Sequence, residues 1–265
     1  MDSPTTAMPA HPATFPPPAA LRGSLLRHAS PQHFHALAGR LLPWAWMLAA
    51  VLLAAGLALG FLVAPADHQQ GEAYRIIFLH VPTAWIAMLA YVAMAFWGAV
   101  GLAWNTRLSF LLMRALAPTG AACAFLNLWT GALWGQSTWG TWWVWDARLT
   151  SMLLLFFLYA GFLALTASID DPQRGDRAGA VLALAGVVNV PVIYFSVQWW
   201  NTLHQGASIT PRGTSVAPGM LWALLLSSLG LWAYAVGAVL SRARCLVLER
   251  ERHAAWARRL PEVAR

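Results

Sequence analysis

The sequence predicts an all-α integral membrane protein with six transmembrane helices. Three features point there: too few charges for a water-soluble domain, six long uncharged runs, and arginines gathered between alternate runs. Of 265 residues, 59% are hydrophobic and 10% charged, whereas soluble domains carry about 25% charged residues. The uncharged runs cover 41–66, 76–106, 115–145, 149–169, 178–211 and 213–241. Each exceeds the ~20 residues that carry a helix across ~30 Å of hydrocarbon.

Helices are expected near 43–64, 82–104, 110–133, 149–168, 178–198 and 219–240. With that spacing, one side of the bilayer holds Arg22, Arg27, Arg40, Arg107, Arg114, Arg174, Arg177 and the arginines from Arg242 onward. The other holds only Arg75, Arg148 and Arg212. Basic residues collect on the cytoplasmic side, so both termini are expected in the cytoplasm. The net charge of +7 is then a topology signal, and no nucleic-acid partner is inferred from it. Residues 1–40, rich in proline, are expected to form a disordered tail in which His28, His33 and His35 are solvated. The membrane domain covers 41–241, and 242–265 is a basic cytoplasmic tail suited to an anionic lipid surface. Pro82 suits the first turn of the second helix, which places His80 at its outer mouth.

Two residue types limit the chemistry. The chain has no lysine, which excludes a GxxxxGK[ST] phosphate loop and a lysine Schiff base. Any ATP hydrolysis must come from another subunit. Cys123 lies within the third helix and Cys245 in the tail, too far apart for a disulfide, and no C-x-x-C-H motif for covalent haem attachment is present.

Between the third and fourth runs, 134–150 reads Trp-Gly-Gln-Ser-Thr-Trp-Gly-Thr-Trp-Trp-Val-Trp-Asp-Ala-Arg-Leu-Thr. Single tryptophans mark the membrane–water boundary. Trp134, Trp139, Trp142, Trp143 and Trp145 together read instead as a laid-down aromatic platform for a large planar ligand. His80 and His204 fall on the same outer side. Neutral imidazole is the usual axial ligand of haem iron, so the pair fits a planar iron porphyrin, with Arg75 and Arg148 available for its carboxylates. Asp146 suits both the N-cap of the fourth helix and a supporting role in the site. Arg148, two positions on, does not face Asp146 across a helix.

These residues carry a resemblance. Trp-Gly-Thr-Trp-Trp-Val-Trp-Asp-Ala-Arg-Leu-Thr at 139–150 is similar to the WWD domain signature of haem-handling membrane proteins. Together with Tyr-Arg-Ile-Ile-Phe-Leu-His-Val-Pro at 74–82 and Trp-Trp-Asn-Thr-Leu-His-Gln-Gly at 199–206, it resembles the cytochrome c maturation protein C family (CcmC, haem exporter protein C) over roughly 40–250. Sister families read Trp-Asp-Pro where this chain has Trp-Asp-Ala at 145–147. The resemblance implies a bacterial inner-membrane subunit of an ABC transporter complex for cytochrome c-type biogenesis. It implies non-covalent haem b at the periplasmic WWD segment, with His80 and His204 as flanking ligands, and delivery to the haem chaperone CcmE. The ATPase CcmA and the subunits CcmB and CcmD complete the implied complex, leaving this chain a haem transport subunit and not an enzyme. Two other readings stand beside it: a haem-attaching synthase of the wider WWD family, disfavoured by the short outer loops, and a structural subunit whose tryptophans only anchor it.

Overall fold

In hydrocarbon every backbone polar group must be satisfied within the protein, so an apolar run that spans a bilayer folds as a helix. The structure, a computed structural model, describes residues 30–206, 209–210, 213–214 and 216–260. Most of the proline-rich tail, with Arg22, Arg27 and His28, lies outside these residues, as do Arg212 and Arg265. Within them are six helical segments long and apolar enough to cross a membrane. The first is α1 (Pro31–Ala58), continued by a wider turn of π type at Leu59–Val63. A 3₁₀ turn (Glu72–Ile76) leads into α2 (Ile77–Trp104), followed by α3 (Arg107–Trp139) and α4 (Ala147–Ser168). The fifth crossing is made of α5 (Pro172–Gly186) and α6 (Asn189–Trp199). A two-residue hairpin, β1 (Ile209–Thr210) antiparallel to β2 (Gly213–Thr214), precedes α7 (Pro218–Arg250) and the short α8 (Ala255–Arg258).

Several boundaries differ from the sequence expectation for local physical reasons. Helix α1 begins at Pro31, inside the stretch expected to be a disordered tail, because the Ser30 hydroxyl accepts from the His33 N–H and proline occupies the first turn. His35 is accordingly buried, its ring 5.8 Å from that of Trp256 in α8. Helix α7 runs unbroken through the start of the expected basic tail to Arg250. Helix α2 starts at Ile77, so Pro82 and His80 lie within it. The fifth crossing breaks at residues 187–188, where Pro191 has no N–H to donate to the carbonyl four residues earlier.

The core lies among α2, α3, α4 and the fifth crossing, around fully buried Tyr91, Met94, Met113, Leu155, Tyr159 and Phe162. Both tyrosine hydroxyls are satisfied by backbone: Tyr159 donates to the Ala87 carbonyl at 2.7 Å and Tyr91 to that of Leu182 at 3.5 Å. Helices α1 and α7 pack backbone to backbone. A Cβ at Gly56 would stand 2.5 Å from the Ser227 backbone nitrogen, and one at Gly230 would stand 2.7 Å from that of Leu53. Small residues permit such approach where no hydrophobic force drives helices together.

The arginines expected on one side do meet at one end of the bundle. Asp176, almost fully buried, is bracketed by Arg114 at 3.1 Å and Arg250 at 3.2 Å, tying α3, α5 and α7 together. Arg107 pairs with Glu251 at 3.7 Å, and Arg177 donates to the Asn105 side chain at 3.4 Å.

Two stability predictions follow from this packing. Gly56→Ala drives a methyl into the α7 backbone and should destabilise the detergent-solubilised protein by about 1–3 kcal/mol, read as a lower thermal midpoint. Asp176→Ala leaves two arginines facing each other. Because both keep access to water, the loss should fall below the ~3–5 kcal/mol of a fully buried broken pair, and Asp176→Glu should lose less than Asp176→Ala in the same assay.

Candidate functional site

At the end opposite the arginine cluster, α2, α3, α4 and α6 with the loop after α6 enclose a cavity of about 310 Å³. His80, Trp134, Trp139, Trp143, Arg148 and His204 line its upper part, and Trp85, Met88, Leu128 and Met152 its deeper part. This combination of apolar walls and a few convergent polar groups is the usual make-up of a cofactor or ligand site. A larger hollow, about 610 Å³, lies at the arginine end among Arg107, Asp171, Asp176, Arg250 and Glu251. There Asp176 and Glu251 are matched by the ion pairs already described, and Asp171 lies 3.9 Å from Arg174.

His80 projects from the end of the first turn of α2 and is 8% exposed. Its surroundings come from one face of α3. Asn127, Thr130, Gly131 and Trp134 sit at i, i+3, i+4 and i+7, which is a single stripe of a helix. The Thr130 hydroxyl lies 3.0 Å from His80 Nδ1. Asn127 Nδ2 donates to the His80 carbonyl at 2.9 Å. A Cβ on Gly131 would come within 3.0 Å of His80 Cε1, and the Trp134 ring stands edge-on at 5.5 Å. Trp134 is itself fixed, since its indole N–H donates to the Gln70 side chain at 2.7 Å. The Asp67 carboxylate in turn accepts the Gln69 and Gln70 N–H groups and shapes that loop.

His204 is held by a loop. Asp146 caps α4 by accepting the Leu149 N–H at 2.8 Å, and its other oxygen accepts the Thr202 hydroxyl proton. The same Thr202 oxygen accepts the His204 N–H at 3.0 Å. Asp146 therefore caps α4, as expected, and also anchors the loop that carries His204. The two imidazole centroids are 6.2 Å apart, and Trp139 stands 5.5 Å from His204. Burial and the neighbouring Arg148 hold the His204 pKa down at about 4, against the raising effect of Asp146. Its imidazole is therefore neutral near pH 7, the form that binds metals.

The tryptophan segment differs from a laid-down platform. Helix α3 continues through Trp139 and stops at Gly140, whose φ of 74° is the left-handed conformation that closes a helix. Only residues 140–146 are irregular. Trp134, Trp139 and Trp143 reach the cavity, whereas Trp142 and Trp145 are 56% and 78% exposed and do not line it. Arg75 also departs from expectation: it pairs with Glu72 and donates to the Gly60 carbonyl, outside the cavity lining. Arg148 does line it, with Nη2 donating to the Tyr194 carbonyl at 3.3 Å. Three buried polar atoms of the lining lack a hydrogen-bond partner: Arg148 Nε, Trp143 Nε1 and His204 Nδ1. Buried polar groups left this way carry a desolvation cost that a bound ligand removes.

Thr130, Asn127 and Thr202 are site residues that reading the sequence missed. A signal for the first two was present, because polar side chains inside a membrane helix are costly and mark sites.

The family model for heme exporter protein C matches residues 24–258. Heme exporter protein C of Escherichia coli K12 is 45% identical over 228 residues, 86% of this chain and 92% of that protein. That of Haemophilus influenzae is 44% identical over 236 residues, covering 89% and 96%. That of Bradyrhizobium diazoefficiens is 49% identical over 192 residues, covering 72% and 73%. A family match spanning most of the helical bundle and this degree of identity across nearly whole relatives place the chain in the heme exporter protein C family.

Proposed function

We propose that this chain is a haem-binding membrane subunit of cytochrome c maturation that holds non-covalent haem b between His80 and His204 and delivers it to the haem chaperone CcmE. The observation that carries this reading is the pair of imidazoles 6.2 Å apart at the mouth of a tryptophan-lined cavity. With a metal–nitrogen distance of ~2.0 Å, two imidazoles on opposite sides of one metal atom have ring centres roughly 6 Å apart. Among the described residues no three His, Cys, Asp or Glu side chains gather as a metal cage. A metal bound here must therefore bring most of its own donors, as a porphyrin does with four ring nitrogens.

The orphaned atoms suit the rest of such a ligand. Arg148 Nε and Trp143 Nε1 are donors in search of acceptors, and porphyrin carboxylates are acceptors. Trp139 and Trp134 restrain the two imidazoles edge-on and wall the cavity against water. Arg75 keeps a place in the site only through the loop it braces, between Glu72 and Gly60. The exposed Trp142 and Trp145 suit the membrane–water boundary, on the side from which a periplasmic chaperone would approach.

This assignment puts the cavity on the periplasmic face of the bacterial inner membrane and both termini in the cytoplasm, since the arginine-rich end is the cytoplasmic one by the charge rule. The absence of lysine leaves ATP hydrolysis to a partner. CcmA, CcmB and CcmD are the partners proposed for the complex, and the chain acts in transport and not as an enzyme.

The test is haem content of the full chain co-purified with CcmE in detergent, read from the Soret band. His80→Ala and His204→Ala should each strip most of the haem, and a double variant that keeps wild-type content would end the assignment. The tryptophans should separate: Trp143→Ala weakens retention by about 1 kcal/mol, the scale of a lost aromatic contact, while Trp142→Ala retains haem like the wild type. Thr202→Val cuts the link between Asp146 and the His204 loop, and is expected to lower haem content while leaving α4 capped.

A further inference from the structure

We infer that Thr130 is a positioning residue that fixes the tautomer of His80, keeping the proton on Nδ1 and leaving the Nε2 lone pair for a metal. The inference builds on the haem-binding reading but has a test independent of it.

A hydroxyl has one proton and two acceptor positions. Thr130 Oγ1 lies 2.8 Å from the Leu126 carbonyl and 3.2 Å from that of Asn127, either of which takes its proton in the manner common for threonine within a helix. Toward His80 Nδ1, at 3.0 Å, the oxygen is then an acceptor. The opposite tautomer fares worse. The Asn127 side-chain nitrogen stands 3.3 Å from Nδ1 and 3.4 Å from Nε2 and donates to the His80 carbonyl at 2.9 Å, so it favours neither ring nitrogen. A proton on Nε2 has no acceptor among the described residues, whereas a proton on Nδ1 has the Thr130 oxygen. With the proton on Nδ1, each donor of the cluster has an acceptor: Nδ1–H on Thr130, the Thr130 hydroxyl on an α3 carbonyl, and the Asn127 amide on the His80 carbonyl. Asn127 thus holds the position of the α2 backbone while Thr130 sets the electronic state of the ring.

A metal-binding imidazole whose second nitrogen donates a hydrogen bond is both oriented and made more basic, and loss of the acceptor costs about 10–100-fold in metal affinity. Thr130→Val keeps the side-chain shape and removes the oxygen, and Thr130→Ser restores it. With the full-length chain purified in detergent and loaded with haem b, Thr130→Val should bind about 10–100-fold more weakly. The haem that remains should show a more positive midpoint potential, because a less basic ligand stabilises the ferric form less. Thr130→Ser should return both values toward wild type. A Thr130→Val protein with unchanged affinity and potential overturns the inference.

The second measurement uses the haem-free chain with isotope-labelled histidine. The His80 resonances, assigned by their loss in His80→Gln, should report a proton on Nδ1 in the wild type. A proton on Nε2 there refutes the inference whatever the haem result. Conversely, retention of haem by His80→Ala defeats the functional reading and leaves the tautomer result to stand or fall on its own spectrum.

Discussion

Burying an imidazole between two membrane helices sets the constraint on which the rest of the site depends. An unsatisfied polar group in hydrocarbon costs several kcal/mol, so His80 can occupy its place in α2 only if α3 presents acceptors and donors to it. Asn127 and Thr130 do so at 2.9 and 3.0 Å, and Gly131 leaves room for the ring. Such an arrangement tolerates no slip. Shifting α3 by one residue would turn its face by about 100° and put Leu128 and Gly131, or Leu126 and Trp129, where Asn127 and Thr130 now stand. The register of the α2–α3 pair is thereby fixed by a polar requirement, since lipid tails give apolar surfaces little reason to prefer one register over another.

The two histidines are held by different means. His80 rests on two long helices and a stripe of four α3 residues. His204 rests on a loop tied back through Thr202 to Asp146, which also caps α4. Placing a carboxylate at that helix N-terminus is favourable in itself, so one residue serves the fold and the site. It anchors the loop that brings the second imidazole within 6.2 Å of the first.

How much of this was legible in the sequence depended on the length scale of the signal. Six crossings and a basic end could be read because they rest on runs of twenty or more residues and on the placement of many arginines. The Asp146 cap was legible because capping is local. The tryptophan segment was misread in shape. Gly135 is buried inside α3 against Thr141 and the Trp139 ring, and the helix stops only at Gly140. Arg75 was counted as available because its neighbours in sequence do not reveal the Gly60 carbonyl, which is brought to it by the turn that ends the first crossing. The stripe at 127, 130, 131 and 134 had the right spacing, but its meaning required knowing that His80 faces it.

Ligand count and wall chemistry narrow the identity of the bound species more sharply than either does alone. A bare divalent ion such as zinc asks for about four protein donors or three with water, and the described residues bring two imidazoles together with no third metal-binding side chain beside them. An organic ligand without a metal would use the tryptophan walls but give no reason for two imidazoles to stand 6.2 Å apart at the cavity mouth. A flat species that carries a metal within its own donor ring needs two axial positions, apolar walls and a few hydrogen-bond donors for its acidic edge. In the function proposed above, His80 and His204 would supply the first, while Trp134, Trp139 and Trp143 with the deeper Met88 and Met152 line the cavity and Arg148 with the Trp143 indole N–H would supply the third. The cost lies in the unpartnered Arg148 Nε and Trp143 Nε1 donors, and in the proposed function the porphyrin carboxylates are their acceptors.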